Sequence, residues 1–141
     1  MTSPTATAAL AFDAVTCTFA ARGGGERYTA VEATTLAVQP GEFVSVVGPT
    51  GCGKSTLLNL AAGLLAASAG KVVIDGEPLA GLNRRAGYMF QADALMPWRS
   101  ALANVTAGLE FGGMSKVEAE PRARQWLARV GLAGFENRYP H

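Results

Sequence analysis

The run Gly48-Pro49-Thr50-Gly51-Cys52-Gly53-Lys54-Ser55-Thr56 fits the pattern G-x-x-x-x-G-K-[ST] and constrains the fold more than any other stretch of the chain. Such a loop works where a buried strand hands over to a helix, and both flanks are present. Glu42-Phe43-Val44-Ser45-Val46-Val47 is an apolar, β-branched run of the kind a buried parallel strand shows, and Thr56 to Ala62 reads as a helix rich in Leu and Ala. Glycines at 48, 51 and 53 permit backbone conformations and close approaches that a Cβ would block. Successive N–H groups can then turn inward around an anion, reinforced by the positive end of the helix dipole. Lys54 adds a full charge that reaches outer phosphates, and the Ser55 hydroxyl is placed to ligate magnesium held between them. Pro49 has no N–H and sits where the loop needs no donor. The ligand class implied is the phosphate tail of a nucleotide.

A chain of 141 residues with 49% hydrophobic content has the size of one domain and enough apolar surface for a core. A net charge of +1, with its 12 Lys and Arg scattered, gives no electrostatic footprint for nucleic acid. Leu57 to Ala69 is interrupted by Asn59, Gly63 and Ser68 and is too short to span a bilayer. Met1 to Thr7 lacks a basic segment ahead of an apolar core, so residues 1–8 read as a flexible tail, with no secretory signal, and the protein is expected in the cytosol. Cys17 and Cys52 have no metal-site spacing and read as free thiols.

Leu10 to Phe19 and Tyr28 to Val38 have β character on either side of a loop at Arg22 to Arg27, so a β-rich leader precedes the phosphate loop. Beyond the loop's helix, Gly70 to Ile74 is a short strand that runs into Asp75-Gly76. Asp75 is open to two readings, a magnesium-orienting carboxylate at a strand end or a turn residue, and Asp-Gly before Glu-Pro favours the turn. Gly87-Tyr88-Met89-Phe90-Gln91 reads as another buried strand, whose terminal Gln91 either faces the ligand crevice or is a polar end without a role. Ala101 to Leu109 is helix-compatible and ends at Gly112-Gly113. Ser115 and Glu118 match a capping box that starts a helix with Ala123, Trp126, Leu127 and Val130 inward, Trp126 as core. Pro121 is expected to kink that helix or move its start later.

With these features in place, the chain resembles the ATP-binding subunit of ABC transporters from Leu10 to its end. The resemblance rests on Gly41-Glu42-Phe43 through Thr56, on Gly70 to Gly76, and on Tyr88-Met89-Phe90-Gln91-Ala92-Asp93-Ala94-Leu95-Met96-Pro97-Trp98. The last stretch looks like that of importers in the nitrate, sulfonate and taurine group. The fold it implies is α/β: a P-loop NTPase parallel sheet with an antiparallel β leader and the start of a helical arm. Residues 9–141 would be the N-terminal part of a nucleotide-binding domain.

The resemblance further implies ATP and Mg2+ as ligands. Gly48 to Thr56 would hold the phosphates, Lys54 and Gln91 would act in catalysis, and Ser55 and Gln91 would contact the metal. Phe19 would stack on adenine with Val31 beside the ring, and Tyr28 is the alternative aromatic. Asp93 to Trp98 would receive a transmembrane permease, a second ATPase subunit would complete the site, and the protein would sit peripherally on the cytoplasmic face of the membrane. Family members also carry an LSGGQ-like loop, a strand ending in Asp-Glu and a later histidine. None is found up to His141, which is read as the last residue of a truncated chain and not as that histidine. Two other functions remain open: a non-hydrolysing nucleotide-binding or permease-docking module, and a small P-loop kinase or NTPase that uses Asp75.

Overall fold

The structure, a computed structural model, describes residues 7–20, 26–92 and 94–141. The expected tail up to residue 6, most of the loop after Phe19 and Asp93 lie outside the described residues. The chain divides into two compact units, Met1–Tyr88 and Met89–His141.

In the first unit, β1 (Leu10–Phe19), β2 (Tyr28–Val38), β3 (Ala69–Ile74) and β4 (Glu77–Pro78) form a sheet ordered β2-β1-β3-β4. Every pairing in it is antiparallel. Phe12, Val15 and Cys17 of β1 are all buried, which breaks strict alternation between positions 12 and 15. The break is a bulge: the pairing of β1 with β2 shifts between Phe12 and Val15, and Ala14 between them has φ of 46°. The extra residue restores the inward phase, so one strand keeps a continuous apolar face on both sides of the irregularity. Thr35 Oγ1 accepts the Ala14 N–H at 3.1 Å, so the bulged amide is satisfied.

Helix α1 (Lys54–Ala61) lies on that face. Its Leu57, Leu60 and Ala61, at spacings of three and four, pack with Phe12, Val15, Cys17, Val31 and Val72. Burial of a side chain such as Leu60 contributes about 1.5–3 kcal/mol. The helix end is closed by Asn83, whose amide nitrogen donates to the Ala61 carbonyl at 3.1 Å while its N–H donates to Ala62 O at 3.0 Å.

The β3–β4 hairpin turns at Asp75 (φ 50°) and Gly76 (φ 85°), the two positive values that a two-residue hairpin of the mirror-image type requires. Asp75 is therefore a turn residue, with its carboxylate 2.9 Å from Arg85 Nη1.

Two segments depart from the expected parallel sheet. Residues 42–47 and 87–91, read as buried strands from their apolar character, join no ladder among the described residues. Phe43 is 93% exposed and Met89 95%. A central parallel strand needs hydrogen-bonded neighbours on its flanks, and the described strands pair only with one another.

In the second unit, α2 (Ala101–Phe111) packs on α3 (Lys116–Arg129). The seam is made of small residues, Ala107, Ala119 and Ala123, with Thr106 and Leu127. The buried Thr106 hydroxyl donates to Leu102 O one turn back, at 2.8 Å. The first amides of α2 are satisfied from the C-terminal segment, Ala101 N–H by Arg138 O at 2.7 Å and Leu102 N–H by Glu136 O at 3.0 Å.

Helix α3 begins at the capping box, where Ser115 N–H donates to the Glu118 carboxylate at 3.3 Å. It departs from the sequence expectations at its start and on its inward face, where Val130 is the exposed C-cap residue. The helix starts at the capping box and includes Pro121, so the proline does not move the start later: the cap already fixes the first turn. Trp126 is 46% exposed, with the Arg129 guanidinium 4.4 Å from its ring centroid, so it is a surface cation–π partner and not core. The buried positions of the helix are Ala119, Ala123 and Leu127.

Two measurements follow. A Cβ at Gly70 would stand 2.3 Å from the Ala14 carbonyl oxygen and 2.4 Å from that of Asp13, at φ of +73°. Gly70→Ala is expected to destabilise the protein by about 1–3 kcal/mol, read as a lower midpoint in thermal or urea unfolding. Hydrogen bonds from the Ser115 side chain and backbone hold the Glu118 carboxyl below its ordinary 4.5. With the folded value depressed, the stabilising effect is present above the unfolded value and is lost as pH falls through the folded one. Circular dichroism should show helix loss on acidification below about pH 4.5, with a smaller acid-induced change in Glu118→Gln.

Candidate nucleotide-phosphate site

The phosphate loop is held from below by β2. A Cβ at Gly53 would lie 2.3 Å from the Ala30 carbonyl oxygen and 3.3 Å from Val31 Cγ2, so the loop backbone rests directly on this strand. Gly53 has φ of 92° and is the N-cap of α1, with no side-chain cap. The first-turn N–H groups of Lys54, Ser55 and Thr56 have no preceding helical carbonyl to bond, and the first turn carries no acidic residue. An anion thus meets open amides and the positive helix end with no competing carboxylate.

Lys54 bends back over the loop, its Nζ donating to Gly48 O and Pro49 O at 2.7 Å each, with Cys52 Sγ at 3.6 Å. The ammonium is thereby held at the loop's mouth, and its contact to the Cys52 sulfur, a weak acceptor, is the one of the three that a ligand oxygen would most readily replace. Cys52 N–H closes a turn on Pro49 O at 3.4 Å, and a Cβ on Gly48 would stand 2.7 Å from Cys52 Sγ. Thr50 and Gly51 form the exposed rim, and Ser55 is exposed at the start of the helix. Cys52 is an exposed free thiol and Cys17 a buried one.

Phe19 and Tyr28 are direct partners at one end of the β1–β2 ladder, 39% and 58% exposed. Val31 is 8% exposed and packs in the core beneath the loop, which leaves little of it to face a base. Gln91 is exposed in the second unit and lies outside any strand. Within the first unit the structure therefore gathers Lys54, Ser55, the loop glycines, Phe19, Tyr28 and Val31 around β2 and the start of α1.

Asn104 is a functional candidate that the sequence reading passed over. Its side-chain nitrogen donates to the carbonyls of Met96, Arg99 and Ser100 at 3.1 Å each, while its Oδ1 accepts the Met96 N–H at 2.8 Å. It fixes the loop that presents Trp98, which is 73% exposed. The available signal was one amide in an otherwise apolar first half of α2, Ala101-Leu102-Ala103-Asn104-Val105.

A glycine-rich loop between an apolar segment and a helix, with its lysine folded over the loop mouth, defines a P-loop nucleotide-binding cassette. The chain belongs to the ABC transporter family, whose model matches residues 31–141. It is 44% identical over 110 residues to the taurine import ATP-binding protein TauB of Yersinia pestis bv. Antiqua (strain Antiqua), covering 78% of this chain and 43% of that protein. It is 45% identical over 117 residues to an uncharacterized ABC transporter ATP-binding protein of Methanocaldococcus jannaschii, covering 83% and 44%. A solved ATP-binding cassette, in a dimeric post-hydrolysis state bound to ADP and Pi, superposes with a TM-score of 0.82 at 34% identity, covering 93% of this chain and 61% of that one. The fold is that of the ABC ATPase cassette, part of the domain being present. The chain thus spans less than half the length of the two curated relatives.

The seat of the loop gives a direct test. Gly53→Ala brings a Cβ into the Ala30 carbonyl at a backbone angle that side chains rarely adopt. A loss of about 1–3 kcal/mol in unfolding free energy is expected, whereas alanine at Gly51, whose Cβ would meet nothing within 4 Å, should lose only the backbone part of that cost.

Proposed function

We propose that this chain is the Mg-ATP-binding part of an ABC importer ATPase subunit, which in its complete form couples ATP hydrolysis to solute uptake. The observation that carries the proposal is the phosphate loop: open first-turn amides at α1 and the Lys54 ammonium held over the loop mouth by two 2.7 Å bonds. Charge-assisted bonds of this kind contribute about 1.5–3 kcal/mol each. Gly48 to Thr56 would wrap the phosphates, Lys54 would meet the outer ones, and Ser55 would contact magnesium. When bound, the metal neutralises phosphate charge. Phe19 would offer its exposed ring to adenine, with Tyr28 as the neighbouring aromatic.

Relatives named for taurine import support an importer role, and the dimeric cassette supports a partnership with a second ATPase subunit. The permease would dock on the loop that ends in Trp98, which Asn104 braces. The subunit would reach the cytoplasmic membrane face through its permease, and among the described residues no helix is long and apolar enough to cross a membrane. The Asp75 kinase reading is disfavoured, because that carboxylate sits in a hairpin turn and faces Arg85.

Equilibrium titration with Mg-ATP tests the assignment. Lys54→Ala is expected to weaken binding by roughly tenfold or more, on the scale of one charge-assisted contact; equal affinity for both chains would remove the loop from the site.

A further inference from the structure

The Tyr28 hydroxyl donates to the Gly51 carbonyl at 3.2 Å, a bond that joins the first residue of β2 to the outer turn of the phosphate loop. We infer that Tyr28 is a positioning residue for the phosphate loop, its hydroxyl fixing the Gly51–Cys52 peptide so that the loop's amides are set for a phosphate chain. This rests on the nucleotide reading of the loop.

The two chains run in step. Gly53 sits on the Ala30 backbone, and two residues earlier on each side Gly51 meets Tyr28. The inner contact is steric and fixed by a glycine. The outer one depends on a single side chain, because Gly51 has open space around its Cβ position and φ of 84°, so packing does not hold it. The Gly51 carbonyl and the Cys52 N–H belong to one planar peptide and point in opposite directions. A donor on the carbonyl therefore sets where the amide points. Among the described residues that amide bonds to Pro49 O at 3.4 Å, so the peptide plane carries one long restraint on each side, the tyrosine's at 3.2 Å and the proline carbonyl's. Phe19, directly opposite Tyr28 in the ladder, has no hydroxyl and cannot supply this bond. The neighbouring aromatics therefore divide the work, with Phe19 offering a ring face and Tyr28 tethering the loop.

Tyr28→Phe keeps the ring and removes only the tether. Two readouts on the full chain separate its roles. The first needs no ligand: the alkylation rate of the exposed Cys52 by iodoacetamide, with buried Cys17 as internal control. A loosened loop should raise the Cys52 rate about three- to tenfold, the scale of one neutral hydrogen bond. The second compares Mg-ATP with Mg-tripolyphosphate, which lacks a base. Tyr28→Phe should weaken both by the same factor of about three to ten, and Tyr28→Ala should do so at least as strongly. An unchanged alkylation rate with unchanged tripolyphosphate affinity overturns the inference. So does a loss confined to ATP and to Tyr28→Ala, which would make Tyr28 a base-stacking residue. If the unmodified protein binds neither ligand, the nucleotide reading fails, and the Cys52 rate alone decides whether the tether holds the loop.

Discussion

The seating of the phosphate loop on β2 is the contact on which the first unit depends. Gly53 approaches the Ala30 carbonyl so closely that no side chain fits between them, and that approach fixes where α1 begins. Once the helix starts there, Leu57, Leu60 and Ala61 fall on the sheet face made by Phe12, Val15, Cys17 and Val72. One glycine thus ties the anion-binding helix end to the apolar core. The loop draws its order both from the sheet beneath Gly53 and from Lys54, which folds back onto the Gly48 and Pro49 carbonyls.

The bulge at Ala14 serves the same arrangement from the other side. It keeps both halves of β1 apolar inward, and it receives Gly70 at the start of β3 against its carbonyls. The returning strand can approach the bulge only because a glycine occupies that position. The result is a small sheet whose inner strand β1 carries the bulge, with the helix that bears Lys54 and Ser55 packed on its apolar face. In the second unit, order comes from polar closure: Asn104 gathers three carbonyls and an amide of the loop before α2, and the carbonyls of Glu136 and Arg138 satisfy the first amides of that helix. Small residues line the seam between α2 and α3, and Trp126 lies half-exposed outside it.

Much of this was legible in the residues. Alternation and turn chemistry locate β1, β2 and the Asp75-Gly76 hairpin, and Ser115 with Glu118 marks the start of α3. Those signals are local, acting within one strand, one turn or one helical cap. The errors fall where a local signal needs a distant partner. Residues 42–47 and 87–91 carry the apolar character of buried strands, yet strand pairing depends on neighbours, and the described chain pairs elsewhere. Trp126 occupies an inward position by helical spacing, but it is half-exposed and the buried seam is made by alanines, Thr106 and Leu127. Pro121 suggests a later start, and the cap ahead of it starts the helix at Lys116 regardless.

What the sequence determined by itself is the chemistry: a loop of glycines, one lysine and a serine between an apolar run and a helix specifies phosphate recognition, because those residue types at that spacing create open amides beside a positive charge. What only tertiary structure decided is the support. That Gly53 rests on Ala30, that Val31 lies under the loop in the core, that Lys54 folds onto Gly48 and Pro49, and that Tyr28 reaches Gly51 all follow from the register of β2 against the loop. Register of this kind is set by packing between segments far apart in the chain, and no spacing pattern within either segment encodes it.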